Sequence, residues 1–199
     1  MPRAAPGQRR QQILEALAHE LETSPGVRVT TARLAAKLDV SEAALYRHFR
    51  SKAEMFEALI AFAEQTVFSL SHRIAADKVE LDVKLSRIVG LILSFGERNP
   101  GICRLLMGDV LAGEDEALRA RVRQFFERFE AELRAILRAA DLGDGVRGAA
   151  PASRVAALLA AQVEGRLARF VRSGFAEPAT QHWDTEWQIL VRAVATAGA

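Results

Sequence analysis

The segment over residues 29–56, VTTARLAAKLDVSEAALYRHFRSKAEMF, constrains the fold of this chain more than any other stretch. Small hydroxyl side chains cap helices because they accept hydrogen bonds from the free amides of the first turn. Thr31 is placed to cap a helix over residues 32–38, and Ser41 is placed to cap a second helix over residues 42–49. Two short helices joined by a tight turn predict a helix-turn-helix.

The apolar residues of this segment predict which face of the second helix is free. Five side chains have spacings that bury them together: Leu34, Leu38, Val40, Leu45 and Phe49. With Leu45 and Phe49 turned inward, the other side chains of the second helix project from its open side and its end. A major groove of DNA could receive that surface. The candidates there are Ser41, Ala43, Tyr46, Arg47 and His48.

Two motifs carry a resemblance to a known family. The first reads TTxxLAxxxxVSEAALYRHFxSKxxMF from Thr30 to Phe56 and resembles the DNA-binding domain of TetR-type regulators. Its VSEAALYRHF core and the later FGERNPG, from Phe95 to Gly101, are similar to the nucleoid occlusion factors of that family. The similarity runs in register over residues 10–173. It implies an all-α fold with an N-terminal three-helix helix-turn-helix head and a C-terminal helical body that dimerises.

Hydrophobic periodicity and helix breakers organise the chain into three parts. We expect a disordered arm over residues 1–7, a helix-turn-helix DNA-binding domain over 8–53, and a helical dimerisation and partner-binding domain over 54–199. No stretch alternates with period two, so no sheet is expected. About nine helices are predicted. Besides the two above, they cover residues 8–21, a long helix from residue 51 that includes residues 55–70, and 81–98, 102–111, 114–140, 152–172 and 185–196, with a loop over 141–151.

The last two predicted helices are apolar on more than one side. The first of them has little side-chain bulk, which lets another helix pack closely; its small residues are Ala156, Ala157, Ala160, Ala161 and Gly165. The resemblance implies that both helices pair with their copies in a four-helix dimer interface. The alternative is that they only pack on the body. A two-fold axis would supply the two heads that a short palindromic double-stranded DNA site requires.

The resemblance also divides the DNA contacts between two roles. Thr31, Tyr46, His48 and Lys52 are implied to bind phosphates and so to position the head. Ser41, Ala43 and Arg47 are closer to the base edges, where the Ala43 methyl suits thymine. Arg47 suits either a guanine or a phosphate, and the sequence leaves both open. Asp39 occupies the turn position at which such motifs usually have glycine, which predicts a left-handed backbone there.

A protein partner is implied by the second motif. In nucleoid occlusion factors, the groove between the long helix after the head and the next helix receives the C-terminal tail of the tubulin-like division protein FtsZ. The matching positions here are Phe62, Leu91, Arg98 and Asn99, an apolar floor with a cationic rim. This sequence departs from the pattern twice. Leu70 stands where the family tends to have arginine, with Arg73 a nearby substitute, and Ser94 replaces a glycine. Leu91 and Arg98 also suit an ordinary core residue and a helix-end charge.

Composition argues against an enzyme. The single cysteine, Cys103, lies among apolar residues and is expected to be buried rather than nucleophilic. The four histidines show no metal-type spacing, and no phosphate-binding loop or catalytic triad is apparent, so we expect no catalytic residues, no metal and no cofactor. No apolar run reaches the ~20 residues of a membrane span, and the start lacks a secretion signal. A cytoplasmic, nucleoid-associated protein is expected.

Taken together, these patterns predict a nucleoid occlusion factor. It would bind palindromic chromosomal sites and, when bound to DNA, antagonise FtsZ ring assembly over the nucleoid. The main alternative is a TetR-type repressor released by a small apolar effector in a pocket lined by Phe95, Met107, Phe125 and Phe129, although such spacing is common in plain core. A second alternative is a helical adaptor without DNA affinity. The net charge of +2 does not decide between them.

Overall fold

The structure is a computed structural model that describes residues 6–24, 29–111, 116–144 and 151–196. Within these ranges the chain forms nine α-helices and no strand, which confirms the all-α prediction. The helices are α1 (Pro6–Thr23), α2 (Thr31–Lys37), α3 (Glu42–Tyr46), α4 (Lys52–Ala76), α5 (Leu81–Arg98), α6 (Pro100–Leu106), α7 (Glu116–Asp144), α8 (Ala152–Arg172) and α9 (Trp183–Thr196).

Several predicted helix bounds were wrong by a few residues. The helix predicted over 102–111 is α6, which begins at Pro100, because proline suits the first turn of a helix, and ends before Gly108, whose φ is 76°. The helix predicted over 114–140 is α7, which runs to Asp144 and takes in the start of the predicted loop. α9 begins at Trp183, before the predicted residue 185. α1 begins at Pro6, within the predicted arm, and residues 1–5 of that arm lie outside the described residues.

Backbone contacts divide the chain into two compact units. The head unit contains residues 1–63 and 99–122, and the body unit contains residues 64–98 and 123–199. The short helix α6 therefore belongs with the helix-turn-helix, although it follows α5 directly in the sequence. The domain boundary expected between residues 53 and 54 stays a prediction, since such packing units do not define a functional domain.

The head unit is held together by apolar packing and by one close helix contact. Its side chains Leu17, Leu34, Leu45 and Phe49 are all at most 1% exposed. α6 lies directly against α1, and a Cβ added to Gly101 would stand 1.9 Å from the Ala18 carbonyl oxygen. Only glycine fits there.

A buried arginine fixes the same two helices of the head unit. Arg104 on α6 is 4% exposed and donates through Nη1 to the Leu21 carbonyl at the end of α1, at 2.5 Å. Asp109 accepts from the Arg104 Nε at 2.7 Å and so balances its charge. Desolvating a guanidinium is costly unless it is paired in this way. The contact therefore joins α6 to α1 in one arrangement.

The body unit has an aromatic centre. Phe68 on α4 and Phe126 on α7 both pack on Phe125, with ring centroids 5.4 Å and 5.1 Å from the Phe125 ring. Phe125 and Phe129 are fully buried and Phe95 nearly so, while Met107 belongs to the head unit. These phenylalanines, which the effector alternative assigned to a pocket wall, are part of the core.

Two further side chains connect the end of α8 and the start of α9 to the rest of the body unit. Arg166 on α8 is 4% exposed; it donates to the Ala179 carbonyl at 2.7 Å and pairs with Glu186 of α9. The Trp183 indole donates to the Ser86 carbonyl on α5 at 3.2 Å. These bonds order the turn between α8 and α9. The opposite side of α8 is left open.

Candidate nucleic-acid interface

The recognition helix α3 is fixed at both ends by its own sequence. The Ser41 hydroxyl accepts from the Ala44 amide at 3.3 Å, which confirms the predicted cap. Leu45 is fully buried and Phe49 is 1% exposed, so both anchor the helix in the head. α3 ends at Tyr46, short of the predicted Phe49, but the Phe49 amide still donates to the Leu45 carbonyl at 3.1 Å and continues the turn.

The turn before α3 adopts the strained conformation that its sequence predicts. Asp39 has a φ of 52°, in the left-handed region that glycine usually occupies. The Val40 amide then donates to the Ala35 carbonyl at 3.0 Å, which closes α2 and directs the chain into α3. Aspartate tolerates this conformation better than most residues, at a cost of about 1 kcal/mol.

The cap of α2 is one residue earlier than predicted. Thr30, not Thr31, accepts from the Arg33 amide, at 3.3 Å. Thr31 is the first residue of α2, and its hydroxyl is therefore available for another contact. It donates to the Glu42 carboxylate at 2.5 Å and receives the Tyr46 hydroxyl at 3.4 Å. Two of the predicted phosphate ligands are thus already linked to each other.

The other predicted DNA contacts differ in how open they are. Ser41, Ala43, Tyr46 and Arg47 are exposed, Tyr46 by 47%, while Thr31, His48 and Lys52 are half-buried. The Lys52 ammonium donates to the Val29 carbonyl at 3.2 Å and lies 5.6 Å from the centroid of the Phe56 ring.

The start of α4 is built as a capping box with one difference. The Glu54 amide donates to the Ser51 hydroxyl at 3.1 Å. The Glu54 carboxylate accepts a hydrogen bond from the Arg50 amide at 2.6 Å. In a standard capping box it would accept from the amide of the cap residue, Ser51, one position later. Arg10 of α1 lies 3.8 Å from Glu54 and 4.2 Å from the centroid of the Phe49 ring. The residues next to the recognition helix are therefore fixed from two sides.

Glu20, a buried acid that was not predicted from the sequence, links α1 to α2. Glu20 is 5% exposed and pairs with Arg33 at 2.6 Å and with Lys37 at 3.2 Å. Burial raises the pKa of Glu20, but hydrogen bonds from Ser24 and Lys37 and the charge of Arg33 outweigh it, and the net pKa is lowered. Its burial could have been predicted from its position three residues after Leu17, on the apolar stripe of α1.

The residues predicted to bind a protein partner lie on α4, on α5 and at the α5–α6 junction. On α4, Phe62, Leu70 and Arg73 follow helical spacing along one side, and Phe62 is 45% exposed. On α5, Leu91 and Ser94 are half-buried, and Arg98 is exposed with its Nε donating to the Ser94 carbonyl at 3.2 Å. Asn99 precedes α6 as its N-cap without a side-chain bond to the helix. Phe62 and Asn99 belong to the head unit and the other five to the body unit.

The described residues contain little that could support catalysis. No group of three histidine, cysteine or acidic side chains is placed to hold a metal ion there. Cys103 is buried, as predicted, and desolvation raises the pKa of its thiol to about 12, which keeps it protonated and unreactive. In the helices that the structure describes, none is both long and apolar enough to span a bilayer.

Comparisons with known families agree with this geometry. Residues 13–59 match the bacterial regulatory proteins of the tetR family, and residues 79–195 match the SlmA-like C-terminal domain of the tetracyclin repressor type. A three-helix head with an open recognition helix, followed by a helical body, defines a TetR-type DNA-binding regulator rather than an enzyme. That class of fold implies DNA binding and dimerisation.

The particular family follows from full-length relatives. The chain is 48% identical to nucleoid occlusion factor SlmA of Marinomonas sp., over 92% of this chain and 93% of that protein. It is 46% identical to SlmA of Alteromonas mediterranea, over 94% of this chain and 96% of that protein. The chain belongs to the SlmA family of nucleoid occlusion factors.

Solved structures share the fold at much lower identity. The fatty acid degradation regulator FadR of Bacillus halodurans matches with a TM-score of 0.75 and 12% identity, over 96% of this chain and 97% of that chain. The regulator PfmR of Thermus thermophilus matches with a TM-score of 0.72 and 21% identity, over 91% and 97%. These neighbours support the TetR-type architecture and nothing finer.

Proposed function

We propose that this chain binds short palindromic sites on chromosomal DNA through the exposed surface of α3 and the start of α4. The observation that carries the proposal is the recognition helix itself, anchored by Leu45 and Phe49 with Tyr46 and Arg47 facing outward. Seven side chains make the interface: Thr31, Ser41, Ala43, Tyr46, Arg47, His48 and Lys52. Ser41, Ala43 and Arg47 lie toward the base edges and the others toward phosphates.

The DNA proposal is tested by duplex binding at several salt concentrations. Lys52→Ala removes one phosphate contact, so it should weaken all duplexes alike and reduce the salt slope by about 0.9. Substitution of Ala43 should instead change sequence preference. Lys78→Ala is the matched control, because Lys78 is exposed between α4 and α5 and belongs to the body unit. Equal losses for Lys52→Ala and Lys78→Ala would contradict the assignment.

We infer that the homodimer forms through α8 and α9. One side of α8 is buried in the body, while the other exposes Ala157, Leu158, Ala161 and Gly165, with Leu158 46% exposed. A Cβ on Gly165 would meet nothing within 4 Å, so this side is open to a close helix. Ile189 of α9, 62% exposed, extends the apolar surface. Leu158→Glu should give monomers in sedimentation; an unchanged dimer would refute the placement.

We further propose that the DNA-bound dimer binds the C-terminal tail of FtsZ and blocks assembly of the division ring over the nucleoid. The side of α4 with Phe62, Leu70 and Arg73 and the side of α5 with Leu91, Ser94 and Arg98, together with Asn99 before α6, offer apolar surface and cationic groups. A short tail with apolar and acidic residues complements that chemistry. The nucleoid occlusion factors among the relatives support this role over a repressor released by an effector.

The FtsZ proposal is tested with a fluorescent tail peptide, with and without a cognate duplex. Arg98→Glu should abolish peptide binding while duplex binding persists. Arg138→Glu, which reverses the charge of an exposed arginine on α7, is the control and should bind the peptide normally. If DNA activates the protein, the duplex must tighten peptide binding, and by linkage the peptide must tighten duplex binding by the same factor. Equal peptide affinities with and without the duplex would remove the coupling.

This function places the protein in the cytoplasm on the nucleoid. Mapping of its chromosomal sites distinguishes the two readings in cells. Many sites that avoid the replication terminus fit division control, whereas one or two promoter sites fit a repressor.

A further inference from the structure

A chain of hydrogen bonds links α2 and α3 across the surface proposed to bind DNA. The Tyr46 hydroxyl donates to Thr31 Oγ1 at 3.4 Å, and the Thr31 hydroxyl donates to Glu42 Oε2 at 2.5 Å. Thr31 and Tyr46 are the two hydroxyl groups assigned to phosphates. In the free head, the hydrogens of both are directed along this chain toward the Glu42 carboxylate.

Glu42 differs in its partners from Glu20 and Glu54, two other acids of the head. Glu20 is neutralised by Arg33 and Lys37, and Glu54 lies beside Arg10. The Glu42 carboxylate is exposed and is held by the neutral hydroxyl of Thr31. In the part of the head that the structure describes, no lysine or arginine pairs with it. A full negative charge therefore remains on the surface that has to approach a polyanion.

The position of Glu42 makes that charge relevant to sequence reading. Glu42 is the first residue of α3, directly after the Ser41 cap. Recognition helices of this type point their N-terminal residues at base edges in the major groove. Among those edges, cytosine presents its amino group, N4, to a carboxylate, whereas the amino group of adenine lies beside the N7 acceptor, which disfavours a carboxylate. Phosphates offer only acceptors and repel the carboxylate.

We propose that Glu42 is a specificity-determining residue that accepts a hydrogen bond from a cytosine amino group and disfavours binding to DNA that lacks this cytosine. The inference rests on the proposed binding of duplex DNA by this head. It adds one acidic residue to the seven side chains assigned above.

On a site with the right base, each of these groups keeps a hydrogen-bond partner. The cytosine N4 donates to Glu42, so the carboxylate still has a donor when the Thr31 hydroxyl turns to a phosphate. On another sequence, a phosphate that takes the Thr31 hydroxyl leaves the Glu42 carboxylate without a donor and close to negative charge. Leaving a desolvated charge unpaired is unfavourable, so the penalty falls on non-cognate DNA.

The test is a parallel selection of duplexes from a randomised library, followed by affinity measurements on the selected and random duplexes. The unaltered chain should select a cytosine at one position of each half-site. Glu42→Gln should lower the preference for that cytosine about tenfold and bind random duplex severalfold more tightly. Glu42→Asp keeps the charge at the start of α3 but shortens the reach by one methylene, so it should lose the cytosine preference without the gain on random duplex.

Glu15→Gln is the matched control, since it removes one exposed carboxylate whose partner is Gln11 on the same helix. It should give the unaltered motif. Thermal melting of each variant shows that the head is folded, because either replacement of Glu42 leaves the buried anchors of α3 in place.

Two results would overturn the inference. The first concerns Glu42 alone, and the second also concerns the proposed DNA binding. If Glu42→Gln and Glu42→Asp both select the same motif with the same discrimination as the unaltered chain, Glu42 acts only as a bulk charge or a helix-start residue. If the unaltered chain selects no duplex at all, the proposed DNA binding fails with it.

Discussion

Replacement of Gly101 by alanine tests whether α6 is locked against α1. The new Cβ would lie 1.9 Å from the Ala18 carbonyl oxygen and 2.9 Å from its carbon, and contacts below 3.0 Å essentially never occur. The clash is with backbone, so the two helices have to separate by more than a side-chain rotation can absorb. Alanine favours a helix over glycine by up to about 1 kcal/mol, which partly offsets the clash.

The expected cost follows from two terms. Overpacking in a dense interior costs about 1–3 kcal/mol. Separation of α6 from α1 also weakens the bond from Arg104 to the Leu21 carbonyl, and a hydrogen bond to a charged group contributes about 1.5–3 kcal/mol. After the helix-propensity gain, we expect Gly101→Ala to lower the free energy of unfolding by roughly 2–4 kcal/mol. That is a large fraction of the stability of a small protein.

Gly90→Ala is the matched control on α5. Its added Cβ would lie 3.6 Å from the Trp183 Nε1, an ordinary contact, so the helix-propensity gain should dominate and stability should stay equal or rise. Urea denaturation gives both stabilities, and hydrogen exchange locates the change. Protection should fall in α1 and α6 and persist in α8. If Gly101→Ala unfolds at the same urea concentration as the unaltered chain, the tight approach of the two helices is wrong.

Three further predictions concern Glu20, Cys103 and Asp39. The pKa of Glu20 is lowered by folding, so the stabilisation from its carboxylate is present above the unfolded pKa and is lost as pH falls through the folded pKa. Glu20→Gln should therefore be less stable than the unaltered chain at pH 7. Urea midpoints should show this difference shrinking on acidification below about pH 4. The Cys103 thiol, with its pKa raised to about 12, should resist iodoacetamide at pH 8 until the protein is unfolded, as mass spectrometry would show. Asp39→Gly should raise stability by up to about 1 kcal/mol in urea by relieving the left-handed backbone, whereas Asp39→Asn, which removes only the charge, should not.

Local chemistry explains why the recognition region could be predicted from the sequence. The Ser41 cap and the left-handed Asp39 each depend on residues within a few positions of one another, and both were confirmed. The misplaced cap of α2 also has a local cause. Thr30 and Thr31 are adjacent and chemically equal, so periodicity alone could not choose between them.

Long-range contacts account for what the sequence did not predict. Glu20 meets Arg33 and Lys37 only after α1 and α2 have packed, and Arg104 reaches the Leu21 carbonyl across 83 residues of chain. Charged residues are rarely buried, and a pattern rule places them on the surface. Thr31 and Glu42 are 11 residues apart on different helices, so their hydrogen bond also depends on the geometry of the turn between α2 and α3.

The FGERNPG motif has two separable reasons for its residues. Gly101 is required by the approach of α6 to Ala18 inside the head unit, whether or not any partner binds. Arg98 has no such internal requirement in the contact described for it, since it is exposed and bonds only to the Ser94 carbonyl of its own helix. Resemblance at Gly101 therefore supports the fold, whereas resemblance at Arg98 bears on the proposed site for the FtsZ tail. A stable Arg98→Glu variant that loses the peptide, beside a destabilised Gly101→Ala variant, would separate the two roles within one short motif.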